Sequence, residues 1–163
     1  EFQNKVILIL IELIIYFNYP ACYFASYNGN QEIVQFLLSQ TDAIVSHAFF
    51  NCEKISHIDI PTNITKIFNY AFLNCTSLTK IIIPSSVTKI CYDAFRSCSS
   101  LVEIFIPSSV TEIERSAFQY CKSLKKVNIP PIIVIEDGLF EGCEALEEIE
   151  IPLSVKYIKG AVF

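Results

Sequence analysis

The chain has 163 residues, of which 52% are hydrophobic and 18% charged, and its formal net charge is -5. This composition is too apolar for a disordered chain, and the length suits one domain with a buried core. The pI near 5.0 argues against a nucleic-acid surface, because phosphate binding requires clustered Lys and Arg, and no basic run occurs.

An apolar stretch at residues 6–17 follows Lys5 and is interrupted only by Glu12. Three interpretations stay open. In the first interpretation, the stretch is a secretory signal, although no small-x-small cleavage site follows. In the second, it gives membrane association through residues 6–26, although Glu12 at the centre costs about 2.5–3.5 kcal/mol. In the third interpretation, it is a helix that covers one end of the remaining domain.

A second helix is predicted over residues 32–38, after the turn signal Asn28-Gly29-Asn30. Its apolar face carries Ile33, Val34, Leu37 and Leu38. With the preceding residues from Ala25, this segment resembles one degenerate ankyrin-type helix pair, although Pro20-Ala21-Cys22-Tyr23 stands where that family has T-P-L-H. Residues 1–42 are therefore interpreted as a helical N-terminal segment, either a cap or the last unit of an ankyrin array.

Residues 43–163 form about five repeats of about 23 residues, a pattern typical of solenoids. Proline and cysteine each recur with spacings of 23, 23, 23 and 22, at Pro61, Pro84, Pro107, Pro130 and Pro152 and at Cys52, Cys75, Cys98, Cys121 and Cys143. The spacing of 22 places one lost residue after Pro130, so we expect a distorted turn there. Because the sequence stops inside a repeat, we expect a solenoid truncated at its C-terminus.

Each unit predicts one coil of the solenoid. In the third unit, Glu103, Ile104, Phe105 and Ile106 alternate outward and inward, the pattern of a strand that Pro107 ends. Residues 110–113 predict a second extended piece. Residues 116–121 are too short for a full α-helix and predict a single turn that directs Phe118 and Cys121 inward. The expected fold is an α/β repeat solenoid, a right-handed coil with a parallel sheet on one face and short turns or helical turns on the other.

The unit resembles the leucine-rich repeats of the BspA type, found in surface proteins of bacteria and of protozoan parasites. The resemblance covers roughly residues 44–163 and rests on A-F-x-x-C-x-x-L followed by I-x-I-P-S-S-V, which recurs at 71–87 and 94–110. The family pattern usually has Gly after the last Ile of the unit, where this chain has Phe68, Cys91, Glu114, Glu136 and Lys159. The resemblance implies adhesion or recognition by a curved solenoid, with no catalytic residues.

The five repeating cysteines are predicted to form a structural core column. Stacked coils place equivalent side chains about 5 Å apart, but parallel side chains seldom present the dihedral angle of a disulfide. A tetrahedral zinc site needs ligands from four directions, and no C-x-x-C occurs. Buried thiols are therefore expected, with a disulfide or a metal site as the alternatives.

The outward face of the strands is the predicted binding surface. One column, Lys80 to Glu148, alternates in charge from coil to coil, and the adjoining column has two apolar residues at its centre. The candidate binding residues are Lys80, Ile82, Glu103, Phe105, Lys126 and Asn128. An exposed aromatic residue often marks a contact site. In the alternative interpretation, a missing part of the chain covers this surface.

Catalysis is not expected, because His47 and His57 are the only histidines and the column that contains His57 elsewhere accepts either charge. The scattered glycines form no phosphate-cradling loop, and no cofactor, metal or small-molecule substrate is predicted. We expect a non-enzymatic recognition or adhesion module, secreted or at the cell surface, with a protein or extracellular-matrix partner. The alternatives are a cytoplasmic ankyrin and leucine-rich-repeat scaffold, and a thiol- or metal-dependent enzyme.

Overall fold

The structure is a computed structural model that describes residues 31–163. Helix α1 (Gln31–Ser39) precedes a regular series of short strands. The three-residue strands are β2 (His57–Asp59), β4 (Lys80–Ile82), β6 (Glu103–Phe105), β8 (Lys126–Asn128) and β10 (Glu148–Glu150). The two-residue strands are β1 (Ala43–Ile44), β3 (Lys66–Ile67), β5 (Lys89–Ile90), β7 (Glu112–Ile113), β9 (Val134–Ile135) and β11 (Tyr157–Ile158).

The three-residue strands form one parallel sheet in the order β10-β8-β6-β4-β2. Neighbouring strands are offset by one repeat, so that Ile81 lies opposite Ile104 and Lys80 opposite Glu103. The middle residue of β2, β4, β6 and β8 is buried because alternate side chains of a strand point to opposite faces. The fold is the predicted parallel β-solenoid, with about five turns.

A second parallel sheet, in the order β1-β3-β5-β7, runs along another side of the coils. The sequence predicted an extended piece here, but not that the extended pieces of successive coils pair into a sheet. The pairing follows from the same one-repeat offset, which sets Ile90 opposite Ile113 and Lys89 opposite Glu112. Each coil therefore has three sides: a longer strand, a shorter strand and a run of turns.

The run of turns lies where the sequence predicted a turn, residues 116–121, but the structure has two turns there and not one. These two tight turns are closed by hydrogen bonds from the Gln119 N–H to the Ser116 carbonyl (3.1 Å) and from the Cys121 N–H to the Phe118 carbonyl (3.2 Å). A helix cannot continue because Ser116 and Tyr120 have φ of 55° and 58°. Phe118 and Cys121 are nevertheless fully buried, as expected.

Left-handed residues recur twice in each of the first four units, and glycines hold both positions in the fifth, where Gly138 and Gly142 have φ of 63° and 71°. None of the five residues at the family's usual glycine position has a positive φ in the described chain. The first left-handed position of each unit instead lies two residues later, at His47, Tyr70, Asp93, Ser116, Gly138 and Ala161. This geometry explains why the family glycine is dispensable here.

The core is built from columns of equivalent residues. Phe49, Phe72, Phe95, Phe118 and Phe140 are at most 1% exposed, and their rings stack nearly parallel with centroid separations of 4.8, 5.0, 5.4 and 5.8 Å. Burial of one such ring contributes about 1.5–3 kcal/mol relative to an exposed one. The column continues to Phe163 at 6.2 Å, where the ring is 63% exposed. The aromatic column therefore holds successive coils in register.

The turn after Pro130 is distorted, as the lost residue predicted. The Ile132 N–H bonds to the Pro130 carbonyl at 2.6 Å, whereas the Val110 N–H reaches back three residues to Pro107 at 3.0 Å. Within the described residues β7 and β9 do not pair, and β9 pairs with β11 alone. One missing residue therefore breaks the second sheet. In the same coil the Ser154 hydroxyl is buried without a hydrogen-bond partner among these residues.

Helix α1 packs on the first coil. Val34, Leu37 and Leu38 are buried in the common core, and the Gln35 side chain donates a hydrogen bond to the Asp59 carbonyl at 3.1 Å. The predicted helix over 32–38 is thus present. The apolar stretch 6–17 and the membrane interpretation of 6–26 lie outside the described residues. No helix in the part of the chain that the structure describes has the length and apolar character needed to span a bilayer.

Candidate binding surface

An open groove of about 680 Å³ runs along the face of the longer strands. All six candidate binding residues line it, because successive coils repeat the same outward positions. Residues that the sequence prediction did not include among the site also line it: Glu148, Glu150, Ile151, Pro152 and Leu153. Leu153 is fully exposed. Two earlier units have serine at this position of the repeat, and this could have indicated from the sequence that Leu153 is exposed.

The charged column keeps its charges open to solvent. Lys80 lies opposite Glu103, Glu103 opposite Lys126, and Lys126 opposite Glu148, so every neighbour in register has the opposite sign. All four side chains are exposed, and the ion pairs between described residues lie elsewhere, as in Lys89 with Glu112 at 2.8 Å. These charges therefore support the register at long range and remain available to a partner.

Two apolar side chains lie side by side at the centre of the groove. Ile82 and Phe105 occupy register positions opposite each other on β4 and β6, and they are 56% and 69% exposed. Acidic residues, Asp59 and Glu150, hold the two ends of the same column. A small apolar centre between charges is the composition of a protein contact site, since such centres dominate binding energy.

Asn128, a predicted binding residue, has a structural role that the sequence did not reveal. Its side chain accepts a hydrogen bond from the Ile106 N–H at 2.8 Å and donates one to the Ile106 carbonyl at 2.6 Å. The pairing of β6 with β8 ends one residue early, at Ile104 and Val127, and the Asn128 amide fills the gap. Its hydrogen-bonding groups are thus committed to the sheet.

The cysteine column lies inside the coils. Cys52, Cys75, Cys98 and Cys121 are at most 1% exposed, and Cys143 is half-buried. Four thiols donate to the phenylalanine carbonyl of the preceding unit at 3.0–3.2 Å: Cys75 to Phe49, Cys98 to Phe72, Cys121 to Phe95 and Cys143 to Phe118. Burial raises the pKa of the Cys75, Cys98 and Cys121 thiols, and that of Cys143 to about 11. Neutral thiols are poor nucleophiles and poor metal ligands.

The two histidines lie on different sides of the coil, and Nδ1 of His57 lies 3.4 Å from the Ser56 hydroxyl. His47 has a left-handed backbone in the turns and stacks on Tyr70 at 4.8 Å, whereas His57 begins β2 on the strand face. Cys52, which lies between the two histidines in the sequence, is fully buried. Among the described residues no group of three or more His, Cys, Asp or Glu side chains could hold a metal ion.

A surface of ion pairs lies over the second sheet. Lys89 bonds Glu112 at 2.8 Å and Glu114 at 2.6 Å, and Glu114 also accepts a hydrogen bond from the Tyr92 N–H at 2.8 Å. The hydrogen bonds to the two carboxylates raise the pKa of Lys89. Partial burial acts to raise the pKa of Glu114, but the Lys89 and Tyr92 contacts outweigh it and lower that pKa. These charges are satisfied within the chain.

Residues 26–163 match the family described as the BspA type leucine rich repeat region, in six copies. The chain belongs to the BspA-type leucine-rich repeat family. The match begins upstream of the predicted domain boundary at residue 43 and takes in residues assigned to the ankyrin-like unit. The ankyrin interpretation stays a prediction, and residues 26–30 lie outside the described part.

This BspA-type chain is similar to three solved structures of bacterial repeat proteins. It is 37% identical to a leucine-rich repeat protein from Bacteroides ovatus (TM-score 0.67), 31% to the T. pallidum leucine rich repeat protein (0.63) and 38% to a leucine rich cell surface protein from Faecalibacterium prausnitzii (0.63). Each alignment covers 69% of this chain and, respectively, 30%, 64% and 31% of the other. No curated protein matches significantly. Leucine-rich repeat proteins generally mediate protein–protein interaction, and their fold is typically non-enzymatic.

Proposed function

We propose that this chain is a non-enzymatic recognition module that binds a partner protein through the groove on its strand face. The observation that carries the proposal is the pair Ile82 and Phe105, which stands exposed at the centre of the face, beside the charged column. Removing a large apolar side chain from water is the main source of affinity in protein contacts. A rigid, in-register sheet holds both side chains in place without a loss of backbone entropy on binding.

A location at the cell surface is part of the proposal. One relative, from Faecalibacterium prausnitzii, is named a leucine rich cell surface protein, and this chain is 38% identical to it over 69% of its own length. The partner is then a protein of another cell or of the extracellular matrix. The mainly exposed charges of the groove suit reversible contact in water, since surface charges set encounter rate and specificity more than affinity.

The experiment compares two variants at residues of almost equal exposure. Ile82 is 56% exposed inside the groove, and Ile133 is 55% exposed outside it. Peptides that bind the purified chain are first selected from a displayed random library, and Ile82→Asp and Ile133→Asp are then tested against the same set. We expect Ile82→Asp to weaken binding about tenfold and Ile133→Asp to leave it unchanged.

Phe105→Asp extends the comparison to the larger side chain, and its thermal unfolding midpoint should stay near that of the wild type, because the side chain is 69% exposed. Equal losses from Ile82→Asp and Ile133→Asp, or no loss from either groove variant, would contradict binding through the strand face. Where a matrix or cell-surface protein binds this chain in a solid-phase assay, the two groove variants should weaken that binding and Ile133→Asp should not.

A further inference from the structure

The dimensions of the strand face point to the kind of partner segment that it fits. The strands β2, β4, β6, β8 and β10 are three residues long, so the face is roughly 10 Å wide. This width matches the diameter of one α-helix with its side chains, roughly 10–12 Å. Resting on the proposed function, we propose that the groove binds an amphipathic α-helix lying along the solenoid axis, across the strands.

The spacing of the charged column favours a helix over an extended peptide. Lys80, Glu103, Lys126 and Glu148 follow one another once per coil, at roughly 4.8 Å. A helix presents one side chain per turn to the same face, with a pitch of roughly 5.4 Å. An extended strand presents one every second residue, at roughly 6.7 Å, and falls out of step within two coils.

The charges define the sequence of the partner helix. A complementary helix carries acidic, basic, acidic and basic side chains on successive turns, at positions i, i+4, i+7 and i+11. Over three coils the mismatch between helix and solenoid is roughly 2 Å, which long Lys and Glu side chains absorb. Apolar residues on the adjoining stripe of the helix then face Ile82 and Phe105, which lie beside the charged column.

The test uses two designed helical peptides of identical composition. The alternating peptide has Glu, Lys, Glu and Lys at the four facing positions, with leucines on the adjoining stripe. The block peptide has Glu, Glu, Lys and Lys at the same positions, so that two of its four contacts are repulsive in either orientation. Fluorescence anisotropy should give the alternating peptide about tenfold the affinity of the block peptide at low salt, and less at high salt.

A matched protein variant reverses this preference. Glu103→Lys/Lys126→Glu keeps the composition and net charge of the chain but turns the alternating column into a block. This double variant should prefer the block peptide. Two of its three in-register pairs become like-charged, so its urea midpoint should fall, but only slightly because all four charges are exposed. A third peptide, the alternating sequence with two central prolines, should lose binding because it cannot form the helix.

Equal affinity of the alternating, block and proline peptides, or absence of binding by all three, would overturn the helix inference. An unchanged preference in Glu103→Lys/Lys126→Glu would do the same. These outcomes leave the proposed function standing if library peptides still depend on Ile82 and Phe105. Loss of that dependence as well would remove both proposals, so the two failures are distinguishable.

Discussion

The amide of Asn128 allows a sharp test of the sheet geometry. Its two hydrogen bonds, to the N–H and carbonyl of the fully buried Ile106, take the place of the missing final rung between β6 and β8. Each such bond contributes about 0.5–1.5 kcal/mol net, so Asn128→Ala should lower the free energy of unfolding by about 1–3 kcal/mol. The loss arises in the folded state, because the backbone groups of Ile106 are left without these partners.

Asn128→Asp adds a pH signature to the same change. A carboxylate can still accept from the Ile106 N–H, but its second oxygen faces the Ile106 carbonyl, so the folded state disfavours the charged form and raises its pKa. Below the unfolded value of about 3.9 the protonated acid can donate to that carbonyl. The variant should therefore be closest to the wild type at low pH and should lose stability as the pH rises through the folded pKa.

Urea unfolding followed by far-UV circular dichroism at pH 4 and pH 7, with the wild type measured at each pH, gives the comparison. Asn69→Asp is the matched control, since the half-buried Asn69 side chain makes no hydrogen bond among the described residues. An Asn128→Ala variant within about 0.5 kcal/mol of the wild type would refute the reasoning. So would an Asn128→Asp deficit that does not shrink at pH 4 relative to the control.

Two further predictions concern the core columns. Phe95→Ala should cost about 3–5 kcal/mol in the free energy of unfolding, because the ring is fully buried between two stacked rings, whereas Phe163→Ala at the exposed end should cost less than about 1 kcal/mol. Similar losses in a urea titration would contradict the graded column. Among the six cysteines that the structure describes, a maleimide probe should label the half-buried Cys143 first, faster as the pH rises toward its pKa of about 11, and should reach Cys98 only on unfolding. Rapid labelling of Cys98 in folded protein, mapped by mass spectrometry, would contradict the buried column.

The repeat made most of the fold predictable. Alternation around Ile104 fixed which side of the strand is buried, and the 23-residue spacing fixed which residue of the next coil lies opposite it. Both inferences depend only on local periodicity and on the equivalence of units, which a single sequence displays. The groove could be placed for the same reason, since its six predicted residues occupy repeated outward positions.

Features that break the repeat could be located but not interpreted. The shorter spacing after Pro130 predicted a distorted turn, yet its consequence, the separation of β7 from β9, depends on how far the fifth coil shifts. Likewise, Leu153 is fully exposed and Ile151 is 43% exposed, although Ile151 occupies a position that is buried in earlier units such as that of Ile106. Their exposure depends on which neighbours surround the fifth coil, and periodicity does not contain that information.

By itself the sequence determined the coil, its register and the inward columns of phenylalanine and cysteine, because a hydrophobic residue repeated at one position can be buried only if the coils stack. The tertiary structure decided the roles of individual polar residues. Asn128 occupies an outward position like its neighbours in the column, but its amide turns to the backbone of the adjacent coil. Hydrogen-bond geometry between coils is set by shifts of an ångström or less, which the identity of the residue does not specify.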